Sequence, residues 1–199
     1  MEKFTKIQNI KPEQEQEVYK DEVLSVVKFK DWSIVKERDL VCVLVILLDE
    51  SAILLRHEWI PSYQLYYSKD DEYNQITNFI TVISGTMDKK DETVLQCLRR
   101  ELYEETGIIF SQMKDVQFDS PKFMTKGNIG RYFTCLLPLT NGEYRQTSSP
   151  IGDGSESEKK SKTVKISFSD LSHLKVHDLI TEYMITKLKI YLYENKIEF

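Results

Sequence analysis

The sequence is poor in the residues that mark fibrous, low-complexity or disulfide-rich proteins. Among its 199 residues there are 7 glycines, 5 prolines and 3 cysteines. So little glycine and proline, together with 41% hydrophobic and 30% charged residues, predicts a soluble globular protein. The cysteines, Cys42, Cys97 and Cys135, are widely spaced among apolar residues. They predict reduced core residues of an intracellular protein, because neither a disulfide framework nor a metal-binding spacing is present in the sequence.

Long apolar runs and a strong charge of one sign are also missing. The longest run, "LVCVLVILL" (40–48), is far short of the roughly 20 residues that span a bilayer. The first 22 residues lack the apolar segment of a signal peptide. A net charge of −5 gives no general attraction to nucleic acid or to an anionic membrane. We therefore expect a cytoplasmic protein with no membrane partner.

The apolar residues that are present follow the periods of strands and helices. Short strands are predicted in "VLSVVKFKDWSIVKE", and "LVCVLVILLDESAILLRHEW" predicts a hairpin whose first strand is buried on both faces. Further strands are predicted in "ITNFITVIS", "KDVQFD", "GRYFTCLLPL" and "TVKISF", and an amphipathic helix near the C-terminus. This order indicates an α+β fold. We expect N-terminal strands or an arm at 1–35, able to form a dimer contact, and one domain at 36–199.

The segment "GTMDKKDETVLQCLRRELYEETGI" (85–108) places three glutamates at the end of a predicted helix. The helix is expected to begin near Asp91 or Glu92 and to end at Gly107 in a left-handed cap. Its C-terminal end already carries partial negative charge, which disfavours carboxylates. Something must therefore offset the charge of Glu101, Glu104 and Glu105.

A helical wheel places two of these carboxylates toward the core. Glu105 falls roughly 20° from Leu98 on the apolar stripe, Glu101 lies at its edge, and Glu104 points further toward solvent. A buried, unpaired carboxylate costs several kcal/mol, so protonation, basic partners or a bound cation must compensate. Arg100 lies on the face opposite Glu105 and cannot neutralise the whole group. The alternative is a solvated acidic face with i,i+4 arginine pairs.

The same segment resembles the Nudix box. That motif runs Gly, five residues, Glu, seven residues, Arg-Glu, an aliphatic residue, any residue, Glu-Glu, any residue, Gly and an aliphatic residue. The matching positions are Glu92, Arg100, Glu101, Leu102, Glu104, Glu105, Gly107 and Ile108. One departure is at the front, where six residues rather than five separate Gly85 from Glu92. We interpret it as a one-residue insertion in the loop before the helix.

Outside the box the chain resembles the Nudix branch that acts on ADP-ribose and nucleoside diphosphate sugars. The resemblance covers roughly residues 35–195. "HEW" (57–59) stands in place of a Gln-Tyr-Arg-like motif, and "ITVISGTMD" in place of Glu-Leu-Pro-Ala-Gly without its Glu and Pro. "DSPKFMTKG" is similar to the proline-containing loop of that branch. The resemblance implies an α/β/α sandwich, with the Nudix-box helix and the C-terminal helix packed on a mixed central sheet.

By this resemblance the protein is a Nudix pyrophosphohydrolase, an enzyme that acts on acid anhydrides in phosphorus-containing compounds with Mg²⁺ or Mn²⁺. The resemblance implies Glu101 and Glu105 as principal metal ligands and Glu104 as a ligand of a further ion. The resemblance also implies the backbone carbonyl of Ser84 as a metal ligand. It implies that Glu92 contacts the loop, or contacts a metal through water. Such an ion neutralises diphosphate oxygens and lowers the pKa of an attacking water.

The remaining roles implied by the resemblance fall on the arginine, the two motif glycines and a later acidic loop. Arg100 is expected to hold the glutamates in place with its guanidinium. Gly85 and Gly107 allow close backbone geometry at the two ends of the helix. Glu156 and Glu158, in "GDGSESEKK", are the candidates for the general base. A plain solvated loop is the alternative for these two acids.

The substrate-binding residues are less readable. We expect contacts from Arg56, Trp59, Pro121 and Arg131, each of which also fits an ordinary core or surface role. The leading prediction is a metal-dependent hydrolase of ADP-ribose or a related nucleoside diphosphate derivative, and a homodimer is expected by analogy with that branch. The alternatives are an RNA 5′-cap or nucleoside triphosphate pyrophosphohydrolase, and a non-catalytic nucleotide-binding module of Nudix fold. Nucleic acid is a partner only for the cap-hydrolase alternative.

Overall fold

The computed structural model describes residues 16–21, 24–59, 78–110, 116–125, 128–147, 159–176 and 178–198. Within them the chain forms eleven strands and two α-helices. The strands are β1 Gln16–Lys20, β2 Leu24–Phe29, β3 Trp32–Glu37, β4 Leu40–Leu47, β5 Ala52–Trp59, β6 Asn78–Thr81, β7 Ile83–Thr86, β8 Ile108–Phe110, β9 Tyr132–Leu139, β10 Tyr144–Gln146 and β11 Lys162–Ser167. The helices are α1 Val94–Thr106 and α2 Leu179–Glu194.

Strand β4 is the centre of a mixed six-stranded sheet. Along one edge it pairs in parallel with β9 over its full length. Along the other edge its first half pairs with β7 and its second half with β5, both antiparallel. Strand β5 in turn pairs with β11 on one side and, in its second half, with β6 on the other. Strands β6 and β7 therefore enter the sheet where β4 and β5 diverge.

The two faces of β4 are buried against different helices. Val41, Val43 and Val45 pack in one core cluster with Leu98 and Leu102 of α1. The alternate residues Cys42, Leu44 and Ile46 pack in a second cluster with Met184 and Leu188 of α2. Successive side chains of a strand point to opposite faces, so one apolar strand supplies both cores. The predicted α+β sandwich with the predicted hairpin is confirmed.

The structure corrects the predicted strand over 76–84. It is two strands, β6 and β7, interrupted at Val82. The backbone N–H of Val82 donates to the Thr181 hydroxyl of α2 at 3.0 Å, which replaces a bond in the sheet. Residues 116–119 of the predicted strand "KDVQFD" are not in a strand either. The short strands β8 and β10, which pair with each other, were not predicted.

The N-terminal strands form a separate antiparallel sheet in the order β1-β2-β3. Strands β2 and β3 were predicted individually, whereas β1 lies in the part of 1–35 to which no particular strand was assigned. Every residue of β1 is exposed, and Val18, Tyr19 and Trp32 are more than half exposed. Asn128 joins this sheet to the rest of the molecule, because its side chain donates to Glu37 at 2.5 Å.

The described residues contain no helix that is both long and apolar enough to cross a membrane. Cys42, Cys97 and Cys135 are free and buried. Their predicted place in the core is confirmed.

Candidate active site

Helix α1 begins at Val94, two to three residues later than predicted, because Thr93 is its N-cap. Thr93 is the N-cap, and its hydroxyl accepts from the backbone N–H of Gln96 while the Gln96 side chain accepts from the backbone N–H of Thr93. This capping box was readable from the sequence as Thr-x-x-Gln. Asp91, with a φ of 60°, turns the chain before the cap. At the other end, Gly107 adopts the predicted left-handed conformation, with a φ of 71°.

Arg100 binds three of the motif glutamates. Its Nε donates to Glu92 at 2.9 Å and its Nη2 to the second oxygen of Glu92 at 3.1 Å. Its Nη1 donates to Glu101 at 2.5 Å and to Glu104 at 3.1 Å. Because Glu92 receives a two-pronged bond, the extra residue in the loop does not prevent it from reaching Arg100. We call Arg100, Glu92, Glu101 and Glu104 the Arg100 cluster.

The Arg100 cluster carries more negative than positive charge. One guanidinium faces three carboxylates, and Asp88 lies 3.5 Å from Arg100 as a fourth. The Arg100 guanidinium also donates to the carbonyl of Thr86 at 3.0 Å, which fixes it against the end of β7. With all its carboxylates ionised, the cluster has a surplus of negative charge, and two of its members, Glu101 and Glu104, lie in the C-terminal half of α1, toward the end that disfavours carboxylates.

Glycine at position 85 is required by space rather than by backbone conformation. A Cβ added to Gly85 would stand 1.7 Å from Cδ of Glu101. The carboxylate of Glu101 therefore lies directly on the backbone of β7. The structure thus supplies a physical reason for the first glycine of the motif.

The environments of the glutamates separate their pKa values. Burial raises the pKa of Glu101 to about 7, although Arg100 acts in the opposite direction. Hydrogen bonds from Arg100 lower the pKa of Glu92. Glu101 thus titrates near neutrality when no further cation is present, and its charged form is the one that a cation would stabilise.

Glu105 is buried as the helical wheel predicts, and its side chain is 8% exposed. Its carboxylate lies 3.5 Å from Nε of Arg56, whose side chain is 6% exposed. Arg56 lies on β5, 49 residues earlier in the chain, and was predicted as a substrate contact rather than as the partner of Glu105. The pattern of the helix could not reveal this partner, because its position depends on how β5 packs against α1.

The other predicted site residues lie in different parts of the molecule, and some lie beyond the described residues. Ser84 is in β7, beside Gly85, and pairs with Cys42 of β4. Pro121 is exposed. Arg131 is half exposed and donates to Asp39, with 3.0 Å from its Nε to Oδ2. The side chain of Trp59 lies outside the described residues, as do Glu156 and Glu158 entirely.

Cys97 is a site residue that the sequence analysis did not single out. Its sulfur lies 3.5 Å from Nη2 of Arg100 and 3.7 Å from the carbonyl of Thr86. Burial raises the pKa of its thiol to about 12, so it stays protonated. It fills the space behind the Arg100 guanidinium as a small neutral group.

A second polar cluster lies where the segment before β9 meets α2. Lys187 of α2 donates to Asp119 at 2.6 Å, and Thr134 and Tyr183 donate to the same carboxylate at 2.7 and 3.1 Å. Burial opposes ionisation of Asp119, but the bonds from Lys187 and Thr134 outweigh it and lower its pKa below the usual value. We call Asp119, Thr134, Tyr183 and Lys187 the Asp119 cluster.

Comparisons with known proteins agree with this geometry. The sequence model described as the NUDIX domain matches residues 38–177. Among solved structures, that of an ADP compounds hydrolase is similar over 92% of this chain and 94% of its own, with a TM-score of 0.62 and 14% sequence identity. At that identity the likeness concerns the fold. No curated protein is significantly similar in sequence. Because the match to the family covers most of the chain and spans the acidic motif of residues 85–108, the protein belongs to the NUDIX domain family, and the predicted assignment to the Nudix hydrolases is confirmed.

Proposed function

We propose that the protein hydrolyses the diphosphate of ADP-ribose, or of a related nucleoside diphosphate derivative, with Mg²⁺ or Mn²⁺ as cofactor. The observation that carries this proposal is the charge surplus of the Arg100 cluster. The similarity in fold between this protein and an ADP compounds hydrolase supports the proposed substrate class. A diphosphate is itself an anion, so an acidic site can accept it when cations stand between the two.

The donor atoms suit such a cofactor in type and in charge. Mg²⁺ and Mn²⁺ prefer carboxylate and carbonyl oxygens. Within the described ranges, no three His, Cys, Asp or Glu side chains are already grouped as a metal site. Glu101 and Glu104 nevertheless reach the same nitrogen of Arg100, so their oxygens face one region. The surplus charge there is what a divalent ion would offset.

We assign the metal to Glu101 and Glu105 as principal ligands, with contributions from Glu104, Glu92 and the carbonyl of Ser84. When bound, the ion neutralises diphosphate oxygens and lowers the pKa of a water molecule.

Arg100 keeps the glutamates in place, and its rigid fork binds Glu92 through two nitrogens. Gly85 leaves the room that the Glu101 carboxylate occupies. Glu156 or Glu158 is proposed as the base that removes the proton from the attacking water. The base remains a proposal from the family resemblance.

Substrate contacts are proposed for Arg56, Trp59, Pro121 and Arg131. Two of these are engaged elsewhere: Arg56 with Glu105, and Arg131 with Asp39. Each of these arginines must therefore loosen an ion pair to reach a phosphate. Exposed Pro121 needs no such change.

We further propose a cytoplasmic homodimer. The support for a dimer is the N-terminal sheet, where Val18, Tyr19 and Trp32 are exposed on the two outer strands, β1 and β3. Apolar and aromatic residues of this kind are common at contacts between subunits. Sedimentation velocity of the chain, compared with a variant in which Val18 and Trp32 are replaced by Ser, tests this part.

The substrate is tested by turnover of a panel with Mg²⁺: ADP-ribose, dinucleotides, nucleoside triphosphates and capped RNA. We expect the highest kcat/KM with ADP-ribose or a close relative, and complete loss after EDTA. Preference for capped RNA or for triphosphates would replace the proposed substrate. Inactivity on the whole panel, with no metal bound in a titration, would support a binding module. Hydrolysis by Glu105→Gln at the parent rate would show that the ligand assignment is wrong.

A further inference from the structure

The C-terminal end of α1 is fixed by donors from other strands. The last carbonyl groups of a helix have no partner within the helix. Here the Thr163 hydroxyl of β11 donates to the carbonyl of Glu105 at 2.6 Å, and the Gln146 side chain of β10 donates to that of Thr106 at 2.9 Å. The backbone N–H of Thr147 donates to the carbonyl of Gly107 at 3.0 Å. The end of the acidic helix is therefore held by β11 of the six-stranded sheet and by the end of β10.

At Glu105 this attachment involves backbone and side chain together. Thr163 and Arg56 are direct partners across β11 and β5. Thr163 binds the Glu105 carbonyl, and Nη1 of Arg56 approaches that same carbonyl at 3.4 Å. Nε of Arg56 lies 3.5 Å from the Glu105 carboxylate. One cross-strand pair thus contacts both ends of this residue.

The electrostatics of this position explain why such a pair is needed. The carbonyls at the end of α1 carry partial negative charge, and the Glu105 carboxylate adds a full one. The cation of Arg56 and the hydroxyl dipole of Thr163 oppose that charge from the side of the sheet. Gln146, by contrast, donates to the carbonyl of Thr106 and not to the carbonyl or the carboxylate of Glu105.

We propose that Thr163 is a positioning residue for Glu105. Its hydroxyl holds the backbone of Glu105 in place beside the Arg56 guanidinium, so that the carboxylate is presented for metal binding in one orientation. This inference rests on the proposed function, because it takes Glu105 as a ligand. It assigns a role to a residue outside the Nudix box.

The test compares three variants of the full chain. Thr163→Val keeps the shape and removes the hydroxyl, Thr163→Ser restores the hydroxyl, and Gln146→Leu removes the donor of the neighbouring carbonyl. Each is measured for kcat and KM with ADP-ribose and Mg²⁺, or with the best substrate of the panel. Each is also titrated with Mn²⁺ alone, followed by electron paramagnetic resonance of the free ion. If Thr163→Val does not fold, as judged by circular dichroism, Thr163→Ala takes its place.

We expect Thr163→Val to lower kcat and weaken Mn²⁺ binding by about 10–100-fold, the usual effect of losing a group that orients a ligand. Thr163→Ser and Gln146→Leu should stay near the parent in both readings. The inference is overturned if Thr163→Val matches the parent, if Thr163→Ser fails equally, or if Gln146→Leu fails as severely as Thr163→Val. A parent chain that neither turns over the panel nor binds Mn²⁺ overturns the proposed function together with this inference, which separates the two kinds of failure.

Discussion

The Arg100 cluster and the Asp119 cluster both pair carboxylates with a basic side chain, but they differ in how far the negative charge is balanced. In the Asp119 cluster one carboxylate receives an ammonium and two hydroxyls, so charge and hydrogen bonds are both balanced. In the Arg100 cluster one guanidinium serves three carboxylates. The first arrangement stabilises the contact between α2 and the segment before β9. The second leaves a surplus of negative charge, and this surplus is the basis on which we propose the functional site.

The pKa values of Glu101 and Asp119 move in opposite directions, whereas Glu92, which receives two hydrogen bonds from Arg100, moves in the same direction as Asp119. Burial raises the pKa of Glu101 to about 7 against the action of Arg100. Asp119 is also partly buried, yet hydrogen bonds from Lys187 and Thr134 keep its pKa below the usual value. Glu101 is the more buried of the two carboxylates, with 11% of its side chain exposed against 24% for Asp119, and it shares its one guanidinium with two other glutamates. Deeper burial and fewer donors per carboxylate together separate this candidate metal ligand from the structural acid.

The largest expected effect is that of Glu101→Gln on catalysis. The substitution keeps the size of the side chain but removes the charge that a metal ligand needs. We expect kcat with Mg²⁺ to fall by more than about a hundredfold, since loss of groups that only support a ligand already costs 10–100-fold. The melting temperature should not fall, because the surplus charge is reduced. Parent-like turnover of this variant would remove the basis of the comparison.

Gly85→Ala should displace the carboxylate of Glu101 without changing its charge. The new methyl would stand 1.7 Å from Cδ of Glu101, so the carboxylate must move. We expect kcat to fall by about 10–100-fold, with a loss of about 1–3 kcal/mol in the free energy of unfolding.

Gly142→Ala is the matched control for that experiment. Gly142 has a φ of 96°, and a Cβ there would meet no atom within 4 Å. Strain at this position costs about 1–3 kcal/mol, a comparable loss of stability. Catalysis should be retained. Equal loss of kcat in both glycine variants would show that general destabilisation, and not displacement of Glu101, is the cause.

Asp119→Asn should give the reverse result. The variant removes the charge that Lys187 and the two hydroxyls share. We expect a loss of about 1–3 kcal/mol in the free energy of unfolding, measured with urea, and an unchanged kcat. A large fall in kcat without loss of stability would place the Asp119 cluster in the active site and contradict its structural role.

The parent and Asp119→Asn proteins should also differ in how their free energies of unfolding depend on pH, and this effect is smaller. The folded-state pKa of Asp119 is lowered, so its stabilising contribution is complete above the unfolded-chain pKa of about 3.9 and is lost as the pH falls through the folded value. The difference in unfolding free energy between parent and Asp119→Asn should be constant near neutral pH and should shrink below about pH 4. A difference that grows on acidification would show that the sign of the shift is wrong.

Much of the fold, and the acidic helix, could be predicted from the sequence, because both depend on the spacing of residues along one element. The apolar run of β4, the period of α2 and the wheel position of Glu105 each follow from spacing along one element. The cap at Thr93 was equally local, and its Thr-x-x-Gln pattern would have corrected the predicted start of α1.

What the sequence could not provide are contacts between distant elements. Arg56 as the partner of Glu105 and the Thr181 hydroxyl that interrupts the strand at Val82 both depend on packing. The reason for Gly85 belongs here too, because Glu101 reaches it across the gap between α1 and β7. The short strands β1, β8 and β10 carry too few alternating apolar residues to be recognised without their partners.

The most direct test of the account is a calorimetric titration of Mn²⁺ into the parent, Glu101→Gln and Asp119→Asn proteins without substrate. We expect the parent and Asp119→Asn proteins to bind Mn²⁺ with similar affinity. We expect Glu101→Gln to bind Mn²⁺ at least about tenfold more weakly. Equal binding by all three proteins, or a loss confined to Asp119→Asn, would contradict the assignment of the charge surplus on α1 to a metal site.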